Sequence, residues 1–391
     1  MLRNTFTRRK IFGFGFAGLV CSGMWILPSR SQAAPRKGND PWACWNSLPD
    51  SEAFPDPRIL AIAFGILAPN AQNLQPWRAR LVGDDTVLLY ADLSRRLPAT
   101  DPIDRQITVS FGTFCELFRL GARVGGYETE IIPFPDGASE QELDSRPVAQ
   151  LKLTTPSKRA PEGLVDHVLQ RSTNRLPFDL TRHVTQRDIT KLTVGGLRLA
   201  SIHGTAYLAE ASRIRTVARQ AYRAAMSDDA ACRELFNVTR IGRAETTSYR
   251  WGPAIVTSEA EQYASDGEAL RLAFLTPKSK VLQDLVSRYL AALDTGRAYM
   301  WVVTADNSRV SMFNAGREWA HLHLAVTAMG LKLQPHSQSL QDFPAIEPMK
   351  KEIHALLAAQ GTERIQMLGR IGYAVQAPHS PREPVSLHLV S

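Results

Sequence analysis

Two short matches within this 391-residue chain constrain its fold more than any other feature. Ala91-Asp92-Leu93-Ser94-Arg95 returns as Ala305-Asp306-Asn307-Ser308-Arg309. Each copy closes an apolar run, residues 87–90 and 301–304, that reads as a strand. A glycine-bracketed helix also returns: residues 112–126 match 316–330, with Phe118, Leu120 and Ala122 opposite Leu322, Leu324 and Val326. Another strand-like segment follows each helix. The offset falls from 214 to 204 residues between the two matches, so the first copy carries a loop ten residues longer. Repetition in the same order implies two copies of one structural unit in a single chain.

The segments around the repeats supply the rest of the unit. Residues 58–67 read as a short apolar helix stopped by Ala68-Pro69-Asn70, and residues 77–82 and 86–91 as a hairpin turning at Gly83-Asp84-Asp85. Phe111, Phe114, Leu117 and Phe118 follow the 3.6 period of a buried helix ending at Gly125-Gly126, with a strand at 129–134 beyond it. This gives a first half at 58–150 and a second at 151–391, with 34–57, rich in proline and tryptophan, as an extended leader. Two helices are expected at 213–226 and 228–237. The span 201–250 suits either a lid insertion or plain scaffold.

The formal charge of +8 invites a nucleic-acid reading, so its location matters. Residues 1–33 hold Arg3, Arg8, Arg9, Lys10 and Arg30 and no acid; without them Lys+Arg falls from 46 to 41 against an unchanged 38 Asp+Glu. A surplus that small gives no phosphate-steering field, which argues against nucleic acid. The front itself reads as an address: a basic start, an apolar stretch over 11–27 and small residues at Ser31-Gln32-Ala33. Thr7-Arg8-Arg9-Lys10-Ile11-Phe12 resembles the twin-arginine pattern, with an ordinary secretory signal as the alternative. The expectation is an exported, periplasmic protein handled folded by the twin-arginine translocase. No stable membrane span is expected after cleavage, while an uncleaved signal would act as an anchor.

Several tempting features are set aside. Gly13-Phe14-Gly15-Phe16-Ala17-Gly18 spells a dinucleotide fingerprint but lies in the signal, without a preceding strand. Cys44, Cys115 and Cys232 lack metal-type spacing, and His321 and His323 sit two apart on a helix, so no metal site is expected. No G-x-S-x-G elbow, Walker A or H-E-x-x-H motif occurs.

The most informative letters are Asn73-Leu74-Gln75-Pro76-Trp77 together with Gln170-Arg171-Ser172-Thr173-Asn174-Arg175. Arg171 and Arg175 offer guanidinium forks for an anion, Ser172 and Thr173 neutral donors, and the two amides both donors and acceptors. Together these motifs resemble the nitroreductase superfamily. Residues 97–105, the loop at 330–340 and residues 364–373 are similar to its Acg branch. The resemblance spans about residues 55 to 390 and implies a nitroreductase-like α+β fold binding FMN. It implies that Arg171, Ser172, Thr173 and Arg175 hold the phosphate and ribityl chain while Asn73 and Gln75 border the flavin. More loosely, it carries Gln334-Pro335-His336-Ser337 to the ring and Arg382 to the phosphate. Arg370 fits either a phosphate contact or a structural salt bridge.

Each motif occurs once, whereas common family members are homodimers with two sets. One flavin site per chain follows, built between the halves of a monomeric pseudo-dimer, with the second pocket empty. The implied activity is an FMN oxidoreductase passing hydride from a small-molecule donor to an electron-poor acceptor such as a nitroaromatic or quinone. No side chain stands out as acid, base or nucleophile. The competing expectations are a non-catalytic FMN-binding or storage protein and a cofactor-free interaction module.

Overall fold

The computed structural model describes residues 40–156, 163–256, 280–357 and 359–391. The expected signal, the first residues of the leader and the proposed cleavage site lie outside the described residues.

In the first half, α1 (Pro57–Gly65) starts where Asp56 accepts from the Arg58 amide and proline occupies the first turn. The hairpin follows as β1 (Trp77–Val82) and β2 (Thr86–Ala91), then α2 (Arg105–Val124), β3 (Tyr127–Pro133) and β4 (Ala149–Pro156). These strands form one antiparallel sheet in the order β1-β2-β4-β3. The second half starts with α3 (Gln186–Val194), closed by a capping box between Thr185 and Asp188, and β5 (Ser201–Thr205). The chain then leaves the sheet for α4 (Leu208–Ala225), α5 (Asp229–Val238), β6 (Arg240–Ile241), α6 (Gly242–Tyr249), β7 (Ala254–Ile255) and α7 (Lys280–Leu293). It returns as β8 (Ala298–Thr304), α8 (Arg309–Ala328), β9 (Lys332–Pro335), α9 (Glu347–Leu356) and β10 (Arg364–Gly372). The second sheet runs β5-β8-β10-β9, again antiparallel.

The two sheets therefore share one topology: first, second, fourth and third strand in spatial order, with one long helix between the second and third strands in sequence. The duplication is visible at atomic scale where α2 crosses α8. A Cβ on Gly112 would stand 2.0 Å from the Phe313 carbonyl oxygen, and a Cβ on Gly316 would stand 2.0 Å from that of Val109. At the repeat offset Gly112 matches Gly316 and Val109 matches Phe313, so the contact maps onto itself, as an isologous dimer interface does. The helices reach across as well: Phe313, Ala320 and Leu324 of α8 pack into the first core, and Val109 of α2 into the second.

The repeated Ala-Asp-x-Ser-Arg performs similar local work in both halves. Asp92 accepts from the Ser94 amide and Asp306 from the Ser308 amide, and each aspartate also takes a serine hydroxyl. In the second copy Ser308 then caps α8 directly, whereas in the first a longer loop intervenes before α2. There Asp101 accepts the Gln106 and Ile107 amides at 3.0 and 3.1 Å, replacing the missing cap.

Two expected boundaries need correction. The division at 150/151 cuts β4, whose residues 149–156 pair with both β2 and β3, so the first half continues to the end of that strand. The insertion does not begin at 201, because β5 is a paired strand of the second sheet. It occupies the connection between β5 and β8, the position held in the first half by the three-residue turn at 83–85. Trp77, expected in the core, is fully buried against Phe114 with ring centroids 4.9 Å apart. Among the described residues no helix is long and apolar enough to cross a membrane.

Candidate functional site

A cleft opens where the chain leaving α1, the Arg-rich turn, the insertion and the C-terminal tail converge. Its lining includes Asn70, Gln72 and Asn73 of the first half, Arg171, Ser172, Thr173 and Arg175 of the turn, Pro253 of the insertion, and His379 and Arg382 of the tail. The two distant motifs thus meet. The turn is held from below by the edge of β9, with Thr173 bridging Leu333 and the Asn174 amide donating to the Leu333 carbonyl at 2.9 Å. Beneath Ser172 lies buried His323, its Nε2 3.3 Å from the Ser172 carbonyl oxygen.

The end of α1 positions two of the guanidinium groups. Helix-terminal carbonyls lack internal partners and carry the negative end of the helix dipole. Arg382 donates to the Ile66 and Ala68 carbonyls at 2.7 and 3.1 Å, and Arg171 to the intervening Leu67 carbonyl at 2.8 Å. Burial, and then each other's charge in the case of Arg171, pull these groups down from the ordinary arginine range, Arg171 to about 9 and Arg382 to about 10. Burial lowers Arg175 as well. Among the described residues no carboxylate lines the cleft. Arg171 Nε is buried without a partner, and the Arg175 guanidinium makes no hydrogen bond among the described residues. Clustered cations with open donors have the chemistry to hold an anion.

Asn73 of the amide motif lines the cleft, on an unusual stretch of backbone. Gln72, Asn73 and Gln75 all adopt left-handed backbone conformations (φ 45°, 52° and 50°), a rare cluster for non-glycine residues. The side chains satisfy the tight coil this creates. Asn73 Nδ2 donates to the Gly252 and Pro381 carbonyls at 3.1 and 3.0 Å, and its oxygen accepts from Arg382. Gln75 is fully buried, donates to the Arg250 carbonyl at 2.9 Å and accepts from the Glu383 amide at 3.0 Å. Asn73 borders the cleft with its amide engaged, and Gln75 lies behind it. The open acceptor is Gln72 Oε1, buried and unpartnered.

Gln334 and Pro335 are not brought to the cleft. Gln334 is buried and accepts from Arg370 Nε at 2.7 Å, while Pro335 pairs with Gly369 across the sheet. His336 instead faces Tyr289, its Nδ1 3.3 Å from the phenol oxygen. Arg370 touches neither the cleft nor a carboxylate. It bonds Thr295 and the Leu176 and Ala292 carbonyls and lies over the Phe178 ring. Sequence reasoning missed Gln72, Trp45 and His379. The letter before Asn73 carried a signal, since a third amide beside Asn73 and Gln75 is a donor or acceptor candidate; the other two come together only through folding.

Fold and site together define an internally duplicated α+β protein with an arginine-lined cleft between its halves. No family model matches the chain. It is 25% identical over 351 residues to the "Putative NAD(P)H nitroreductase acg" of Mycobacterium tuberculosis, covering 86% of this chain and 96% of that one. It is equally 25% identical over 360 residues to the "Putative NAD(P)H nitroreductase Rv3131" of the same organism, covering 89% and 94%. Among solved structures, a nitroreductase-named protein of Anabaena variabilis aligns over 85% of this chain and 91% of its own at 10% identity and a TM-score of 0.41. Over most of its length the chain is thus similar to proteins named as nitroreductases of the Acg type.

Proposed function

We propose that the chain is an exported FMN-dependent oxidoreductase whose cleft grips the cofactor phosphate. The observation that carries this reading is the set of guanidinium groups around the cleft without a carboxylate among its lining residues, with Arg171 Nε buried and unpartnered. These residues fit an organic phosphate. Arg171 and Arg175 would hold it by charge-assisted hydrogen bonds, Thr173 would add a hydroxyl, and Arg382 would fix Arg171's surroundings through the end of α1. Gln72 Oε1 offers an acceptor to a polar edge of the ligand. FMN, when bound, supplies hydride transfer between a donor and an electron-poor acceptor. The chain's share is to bind and orient it and to keep positive charge close by. Relatives named NAD(P)H nitroreductases support a nicotinamide donor. Export rests on residues 1–33 alone, and a nitroaromatic or quinone acceptor on the family resemblance.

A non-catalytic FMN-binding role is the second reading, favoured by Pro253 and Ala254 of the insertion lining the cleft. Purified protein should show a flavin absorbance spectrum, and Arg171→Ala combined with Arg175→Ala should abolish it. Stopped-flow mixing with NADH, NADPH or a quinol separates the readings: bleaching of the flavin marks a reductase, and a yellow protein that no donor bleaches marks a carrier. A wild-type protein that takes up no FMN ends both. Fractionation of cells expressing the full chain, with Arg8→Lys and Arg9→Lys as the comparison, tests export; retention of both forms in the cytoplasm would refute it.

A further inference from the structure

The N-terminal leader contributes an aromatic wall to the cleft. A short 3-10 turn, Ala43–Trp45, places the Trp45 indole against His379 of the tail with ring centroids 4.2 Å apart and planes 6° from parallel. The Arg382 and Arg171 guanidinium carbons lie over the same indole at 5.1 and 5.7 Å from its centroid. Leader and tail are laced together by backbone acceptors. Trp45 Nε1 donates to the Ser380 carbonyl and Trp42 Nε1 to the His379 carbonyl, each at 3.0 Å, and the Arg382 amide donates to the Pro41 carbonyl at 2.8 Å. Burial first, then Arg171 and Arg382, hold His379 down to about 4, so the ring stacked on Trp45 is neutral at physiological pH.

We infer that residues 40–46 are a working part of the ligand site: Trp45, stacked on His379, orients Arg171 and Arg382, so leader docking and occupancy by a phosphate-bearing ligand strengthen each other. The inference rests on the anion-cleft reading and adds a binding residue and a linkage to it. The physical basis is that the two cations lack an anionic partner in the cleft and use the indole face, within the roughly 6 Å over which such contacts act. A phosphate arriving at the same guanidinium groups needs them held where the indole holds them. Coupling between two binding events is reciprocal, so a ligand that requires docked Trp45 must also hold the leader down.

The test uses the full chain and three probes: FMN, riboflavin and inorganic phosphate. Trp45→Ala should weaken FMN affinity about tenfold, mainly through faster release, as loss of one or two cation–π contacts implies. Trp45→Phe should recover part of it, and His379→Ala should fall between. In wild type, saturating FMN should slow hydrogen exchange at the amides of Trp45 and Asn46, which bond back within the leader. Phosphate should do so weakly, and riboflavin less than FMN. Should Trp45→Ala fail to fold, the Phe variant and the exchange experiment decide. Unchanged FMN affinity in folded Trp45→Ala, or exchange at these amides indifferent to FMN, would overturn the linkage while leaving the anion site intact. Loss of FMN binding in wild type itself would overturn both.

Discussion

Substitution of alanine for Gly112 probes the duplication directly. The added Cβ would meet the Phe313 carbonyl oxygen at 2.0 Å and Gly316 Cα at 2.9 Å, against an ordinary contact of 3.4 Å or more. Both partners are backbone, so no rotamer change relieves them, and α2 and α8 must separate by more than an ångström. Both helices carry the cores of the two halves, so separation opens packing on either side. Overpacking of this kind costs about 3 kcal/mol, the upper part of the usual range. The pseudo-symmetric Gly316→Ala should cost a similar amount. One separation relieves both contacts, so the double variant should be destabilised by clearly less than the sum of the singles, a signature of coupled sites. Gly163→Ala, with nothing within 4 Å of the added carbon, serves as the control. The assay is denaturant unfolding with flavin retention followed in parallel. Flavin retention should fall too, because α2 holds the cleft loop: Ser110 Oγ accepts from the Ala71 amide at 3.0 Å, and Thr113 donates to the Pro69 carbonyl. If Gly112→Ala unfolds at the wild-type midpoint, the crossing is not the close self-matching contact described above.

Further outcomes follow from the same geometry. Gln75→Leu should destabilise the fold by about 1–3 kcal/mol, since it removes the acceptor of the buried Glu383 amide. In whatever fraction stays folded it should reduce FMN affinity less than Arg171→Ala does, and unequal effects of the opposite sense would return Gln75 to the cofactor. Acid should destabilise the protein below about pH 6.5. Burial holds His388 down to about 3 and His379 to about 4, so the unfolded chain takes up protons that the folded chain refuses. Stability then falls as pH drops towards 4, by about 1.4 kcal/mol per pH unit for each such histidine. Unfolding curves from pH 7 to 4 check this, with His388→Gln expected to flatten the acid limb.

Local pattern settled much of the architecture in advance. Period and turn chemistry place β1 and β2 at their observed bounds and the C-terminal ends of α2 and α8 closely, while both helices begin well before Gly112 and Gly316; the paired glycines mark the helix crossing because an added Cβ would stand 2.0 Å from a facing carbonyl oxygen. The start of the insertion is placed poorly, since a short strand such as β5 carries little pattern of its own and is defined by its pairing with β8.

What the letters determined by themselves is capability: an arginine-rich turn that suits an anion, amides that can donate and accept, two copies of one unit. Allocation belongs to the tertiary structure. Asn73 and Gln75 spend their amides on a left-handed coil and the tail that crosses it, while Gln72 keeps an open oxygen and Trp45 arrives from the leader. The reason is that a side chain's hydrogen-bonding capacity is local and written in its type, but the partners that consume it come from segments some three hundred residues away, brought near only when the two halves close on each other.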